Sequence, residues 1–302
     1  MIVKRYKDVV VANLTRDGST DEVIFYTLPH EHKVGVVVAK RFHENYTRVW
    51  EEVYDDSSGF YNLTGVYDLN KSGRPQIVVY RIIGASCPGV LEIYESRNGK
   101  IERISGTWAD NGQCNWVQEI RDLNDDGRSE IIISSRNYGV IPDVYAWNGK
   151  RYVISNSDFP QYYNDQLSNL IRDIHSVETL STTARVSAAK QAVEIYLLQH
   201  RYAEAVALCN DVLRIIDDLK LTKPNSIITE TDTPDQLNRI AATFEIDKTE
   251  GKAAIRLLLG DIYQAAGNSP QAQAEYRGEQ ELQSRANEIK WKLPPLKLVP
   301  AK

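Results

Sequence analysis

Three stretches of this chain align without gaps around a glycine. They are VVVANLTRDGSTDEVIFY (9–26), TGVYDLNKSGRPQIVVY (64–80) and QEIRDLNDDGRSEIIIS (118–134). Their first polar loop positions are Asn13, Asp68 and Asp122, so the periods are 55 and 54 residues. This repeat constrains the fold more than any other feature. A unit of that length cannot bury its apolar face alone, so it stacks on its neighbours. Each loop is followed by a Val/Ile/Tyr run, a second loop and a hairpin, as in GVLEIYESRNGKIERIS and DVYAWNGKRYVIS. Asn98-Gly99 and Asn148-Gly149 carry the signature of type I′ turns. Each repeat therefore predicts four antiparallel strands, and four-stranded repeats of this length predict propeller blades.

The best preserved loop places Asp122, Asn124, Asp126 and Glu130 at offsets 1, 3, 5 and 9, with Gly127 at 6. Calcium takes six to eight oxygens in irregular geometry, and alternating residues on a tight turn aim side chains at one centre. The predicted ligands are those four side chains and the backbone carbonyl of Arg128. The twelfth position is Ile133 and the flanks are strands, so this is no EF-hand. Repeat one offers Asn13, Thr15, Asp17 and Asp21, with fewer carboxylates. Repeat two offers Asp68, Asn70, Ser72 and Gln76 beside Lys71 and Arg74, which predicts a loop held by its own hydrogen bonds. An ion-free Asp/Asn turn is the competing reading for all three.

The D-x-[DN]-x-D-G-x-x-[DE] loop followed by β-branched residues resembles the FG-GAP and VCBS repeats of integrin-α-like β-propellers. The resemblance covers about residues 1–155. It implies that bound Ca²⁺ is structural and lies on the face opposite the ligand.

Strand alternation sends the remaining loops to that opposite face. They hold the candidate ligand-binding residues His30, His32, Tyr61, Trp108, Trp116 and Tyr138. Aromatic residues there also serve to pack one repeat on the next. His30 and His32 with Asp55 and Asp56 offer a weaker second metal set. Cys87 and Cys114 fall on the same face, either as a disulfide, which would place the chain in an oxidising compartment, or as two thiols. Cys209 reads as a buried small hydrophobe.

From about residue 157 the sequence turns to Ala, Leu, Gln and Glu, with Ser157 or Asp158 placed to cap a helix opening near Pro160. Residues 188–216 and 253–282 read as helical hairpins. Leu259-Gly260, Tyr263, Gly267, Ala272 and Tyr276 fit the tetratricopeptide pattern, and Ala205 lies 67 residues before Ala272, about two 34-residue periods. Between the hairpins the pattern predicts one short helix near 234–244. The competing reading is a small helical bundle. The tail from 291, WKLPPLKLVPAK, is rich in Pro and Lys and cannot be helical past Leu293.

The 302 residues carry a net charge of −5, which argues against nucleic acid as a partner. No apolar run is long enough to span a bilayer, and MIVKRYKD lacks the apolar core of a leader. Phosphate loops, nucleophile elbows and HExxH motifs are absent. Three repeats are fewer than the about four to eight of a closed propeller. The chain is then a piece of a longer protein, one half of a homodimer that completes a ring, or an open arc. The combined expectation is a β-then-α, two-domain chain: a partial propeller over 1–156 and tetratricopeptide-like helices over 157–290. It reads as a non-catalytic, calcium-stabilised scaffold for a protein, peptide or glycan partner, in the periplasm, elsewhere in the bacterial cell envelope, or outside the cell. The alternative is a polysaccharide hydrolase or lyase using Asp55, Asp56 and Asp110.

Overall fold

The computed structural model describes residues 5–14, 20–43, 45–55, 59–83, 89–105, 116–134, 141–176, 181–220 and 234–292, without the side chains of 5–8, 42 and 234–235. Three antiparallel sheets precede five helices. Sheet one contains β1 (Arg5–Ala12), β2 (Asp21–Leu28), β3 (Lys33–Phe42) and β4 (Asn45–Tyr54), in sequence order. Sheet two contains β5 (Gly59–Phe60), β6 (Gly65–Tyr67), β7 (Gln76–Ile82), β8 (Val90–Arg97) and β9 (Lys100–Arg103). Sheet three contains β10 (Trp116–Arg121), β11 (Glu130–Ser134), β12 (Asp143–Trp147) and β13 (Tyr152–Ile154).

Sheet two departs from the expected four strands. Its first strand is broken, and β5 and β6 both pair with β7. The Thr64 hydroxyl fills the gap: it accepts from the Tyr80 amide and donates to the Tyr80 carbonyl, both at 3.0 Å. A side chain thus supplies the acceptor that the Tyr80 amide needs and a second donor to its carbonyl, which also accepts from the Tyr61 amide at 2.8 Å. Asn98 and Gly99 both take positive φ and close a two-residue hairpin between Arg97 and Lys100, as expected for type I′. Asn148-Gly149 does not. It belongs to a four-residue turn between Trp147 and Tyr152, in which Asn148 Oδ1 accepts from the amides of Lys150 and Arg151.

Alternation along the strands decides how the sheets stack. Val23 and Phe25 of β2 pack with Ile77 and Val79 of β7. Val78 and Tyr80, on the other face of β7, pack with Ile131 and Ile133 of β11. Sheet two therefore lies between the other two, with apolar residues on both faces, which is why β7 reads as an unbroken apolar run. Among the described residues, no sheet closes on itself.

The chain forms two compact units, the sheets through Phe159 and the helices from Pro160. Ile141 counts with the helices, where its amide donates to Glu194 Oε2 at 2.9 Å. Ser157 and Asp158 lie in a short 3-10 turn, and Pro160 itself opens α1 (Pro160–His175). Then come α2 (Thr182–Leu198), α3 (Tyr202–Asp218), α4 (Pro234–Ala265) and α5 (Ser269–Lys292). Ser181 caps α2 by accepting from the Ala184 amide. The central helix is α2, which packs on α1, α3 and α4. Its buried Ala188, Ala189 and Ala192 keep those axes close. Ala205 and Ala272 are likewise 0% exposed, as expected of small residues at helix crossings.

The helix expected near 234–244 is present but far longer. One 32-residue helix, α4, continues from there into the first arm of the next hairpin and ends at Ala265. Gly251 sits inside it, against Thr182 and Ile216, where a Cβ would collide with the Thr182 methyl. A glycine inside a helix here serves a close crossing.

Candidate functional site: the repeated turn loops

The first residue of each second strand reaches back across its loop. Asp21 Oδ2 accepts from the Leu14 amide at 2.8 Å, Gln76 Oε1 from Leu69 at 2.6 Å, and Glu130 Oε2 from Leu123 at 2.8 Å. All three side chains are buried, at 0%, 0% and 2% exposure. One hydrogen bond thus recurs with the period read from the sequence.

Loops two and three also share a backbone. Positive φ occurs at Lys71 and Gly73, and at the equivalent Asp125 and Gly127. Asp68 Oδ2 accepts from the Gly73 amide at 3.0 Å, and Asp122 Oδ2 from Gly127 at 2.6 Å. In loop three Asp122 Oδ1 also accepts from Asn124 and Asp126, Asn124 Oδ1 from Asp126, and Asp126 Oδ1 from Arg128. The oxygens expected to hold calcium here satisfy the loop's own amides. Among the described residues, no group of three His, Cys, Asp or Glu is arranged to hold a metal. The donor set is nonetheless all oxygen, which is the chemistry of a hard cation.

What differs between the repeats is the charge beside the buried side chain. Sheet register places Lys40 across from Asp21 and Glu95 across from Gln76. Glu95 accepts from Asn70 Nδ2 at 2.9 Å, Gln76 Nε2 at 2.8 Å and Arg97 Nε at 2.8 Å. Burial raises its pKa, but those three hydrogen bonds outweigh burial and hold it below the usual carboxylate range. In sheet three Ile131 faces Tyr145, and one more residue of that register brings Ala146 beside Glu130. Alanine supplies no charge. Burial pushes Glu130 above the usual range; the Leu123 amide opposes this, and Asp126 and Asp122 add to it. Lys71 reaches over from loop two and donates to the Asp126 carbonyl at 3.4 Å. On the other side Arg121 of β10 stands opposite Glu130 in register, but it pairs with Glu119 at 3.4 Å, and burial still raises the Glu130 carboxyl.

Thr15 and Asp17 of the first loop lie outside the described residues, as do Trp108, Tyr138, Cys87, Cys114, Asp56 and Asp110. Asn13 is exposed. At the opposite ends of the sheets, His30 and His32 are exposed, and Lys33 bridges Glu31 at 3.5 Å and Asp55 at 3.2 Å. Asp55 is therefore engaged by an ammonium. Tyr61 stacks on Tyr80 at 4.3 Å, over Gly89, and packs against the core between sheets two and three. Trp116 is 58% exposed. The buried Cys209 thiol is pushed up to about 12 by burial.

Sequence reasoning missed a polar cluster between sheets one and two. Glu92 is bridged by Arg81 at 3.4 Å and Arg103 at 3.6 Å. The Tyr54 and Tyr94 hydroxyls share a 2.9 Å hydrogen bond, and the Arg81 guanidinium lies 4.4 Å from the Tyr54 ring centre. Burial first, and then the Glu92 charge, raise the Glu52 carboxyl, while Arg81 and Arg103 lower it. The available signal was charged residues at inward strand positions, where apolar ones are expected.

In the helical unit, a groove of about 450 Å³ is lined by Arg256, Arg277, Gly278, Glu281, Leu282 and Arg285. Gly278 leaves room for the Arg256 side chain, which pairs with Glu275 at 2.7 Å. No helix among the described residues is long and apolar enough to cross a membrane. No family model matches the chain, and no curated protein matches it significantly.

Proposed function

We propose that the chain is a non-catalytic binding scaffold: an arc of FG-GAP-like propeller blades stabilised by calcium in loop three, joined to tetratricopeptide-like helices. Its partner is a protein or peptide, or a glycan, and its setting is the cell envelope. One observation carries the reading. The same back-reaching hydrogen bond recurs in all three sheets, and the third joins a full set of oxygen side chains to a buried carboxylate that burial raises although Arg121 stands opposite it. Asp122, Asn124, Asp126 and Glu130 would hold the ion, which would neutralise Glu130 and tie the loop to β11. Repeat one sets Lys40 opposite Asp21 but carries fewer carboxylates, and repeat two replaces the buried carboxylate with the neutral Gln76 and pairs Arg97 with Glu95. For the helices, support comes from the closely packed Ala205 and Ala272 and from the groove along α5. The test is thermal melting with chelator and with Ca²⁺. Chelation lowers the melting temperature and calcium restores it, in wild type and in Asp68→Ala; Asp122→Ala and Asp126→Ala abolish the response. An unchanged wild-type melt sinks the reading.

The Glu52–Glu92 cluster favours the second reading, a polysaccharide-acting enzyme, because two carboxylates in unlike environments suit general acid and base roles. Any turnover of acidic or neutral polysaccharide that Glu52→Gln and Glu92→Gln both abolish would replace the scaffold reading.

A further inference from the structure

The sheets stack with a fixed sense. Ile77 and Val79 of β7 face sheet one, and the equivalent Ile131 and Ile133 of β11 face sheet two. The corresponding residues of β2 are Glu22 and Ile24. Among the described residues, no sheet covers them. Register assembles the rest of that face: Val9, Ile24, Val37 and Glu51 form one row, and Val11, Glu22, Ala39 and Arg48 the next. Its exposed apolar residues lie on the two edge strands, Val9 and Val11 on β1 and Val53 on β4, at 53%, 65% and 43% exposure, flanking Ile24, Val37 and the buried Ala39 and Tyr26. Tyr26 lies across Gly35, where any Cβ would collide with the ring, and donates to Glu51 Oε1 at 2.7 Å. The charges at one end are already matched, Arg48 to Glu51 at 2.5 Å and Arg41 to Glu22 at 3.9 Å.

We infer that this outer face of sheet one is the interface of a two-fold dimer, packed against the same face of a second copy. The face repeats an interface that the chain builds twice internally, where sheet lies on sheet. A second copy offers a sheet of that construction. Head-to-tail addition would need the following face of sheet three instead, but Ile132 and Val144 there are already buried, at 1% and 0% exposure. That leaves a surface that can pair with itself, which is the geometry of a two-fold contact. Because Glu22 and Glu51 are matched within each copy, two copies meet without opposed unpaired charge. About a dozen residues per copy form a small interface, so the dissociation constant is on the order of 10 µM.

Sedimentation equilibrium of the whole chain, from well below to well above that concentration, is the test. The expected result is a monomer–dimer equilibrium, identical in chelator and in calcium, that Val11→Lys and Val53→Lys each weaken at least tenfold. Melting of dilute, monomeric samples checks that these variants keep the fold. Should either lysine variant fail to fold, the Val11→Thr, Val53→Thr double variant keeps strand propensity and must weaken the dimer as well. A monomer at every concentration overturns the inference. So does a dimer that none of these variants weakens, or an assembly that grows beyond two.

Discussion

At the scale of single residues, Glu130 decides most. Its carboxyl is raised on folding, so it favours the fold when protonated, below about pH 4.5, and that contribution is lost as pH rises through its folded value. At neutral pH the ionised side chain is a liability that a bound cation offsets. Glu130→Gln reproduces the Gln76 arrangement, keeps an acceptor for the Leu123 amide and removes the charge. In chelator at neutral pH it should raise the melting temperature, and it should abolish the calcium response. A melt equal to or below wild type in chelator would contradict this. Replacing the Thr64 hydroxyl has the opposite sense. Thr64→Val leaves the Tyr80 amide without this acceptor, while the Tyr80 carbonyl keeps the Tyr61 amide, at a cost of about 2 kcal/mol in denaturant titration. The recurrence of the loops was legible in the sequence, because spacing and Asp/Asn/Gly chemistry are local. The charge beside Glu130 was not, since Lys40, Glu95 and Ala146 are set by cross-strand register rather than by the motif. The Glu52–Glu92 cluster escaped for the same reason: its members come from four strands.

Among elements, the helices show where local pattern misleads. The pairs around Ala205 and Ala272 were legible from small residues at helical spacing. The continuity of α4 was not, because Gly251 is a poor helix former and only the approach of Thr182 explains it. Gly251→Ala improves helix propensity and yet should destabilise the helical unit by about 1 kcal/mol or more, since the Thr182 methyl occupies the space; a rise in melting temperature would show that the crossing relaxes. A second link joins α1 to α3. His175 Nε2 contacts Asp211 Oδ2 at 2.6 Å, and His175 Nδ1 lies 2.8 Å from the Ile171 carbonyl. The Ile171 carbonyl first, and then Asp211, raise the imidazole pKa. The protonated ring therefore adds stability below its unfolded value near 6.5, which fades as pH rises through the raised folded value. His175 is half exposed, so the gain is under about 1 kcal/mol. His175→Ala should flatten that step in a series of melts between mildly acid and neutral pH.

For the molecule as a whole, two compact units with separate cores predict two calorimetric transitions, of which chelation lowers only the one belonging to the sheets. A single transition, or a chelator effect on both, would mean that the units melt together. Within the helical unit, α4 belongs to both helical pairs: its first half lies on α2 and α3, and its second carries α5. At 1.5 Å per residue it is about 48 Å long, a single rod through the unit. Stacked repeats usually fray from the end, because each pair touches only its neighbour. Here α4 runs unbroken between its two sets of neighbours, so α5 cannot detach without stripping cover from a helix that α2 and α3 also need. Amide hydrogen exchange along α4 should accordingly follow one opening free energy from end to end, and the unit should behave in time as one piece rather than as a row of independent parts.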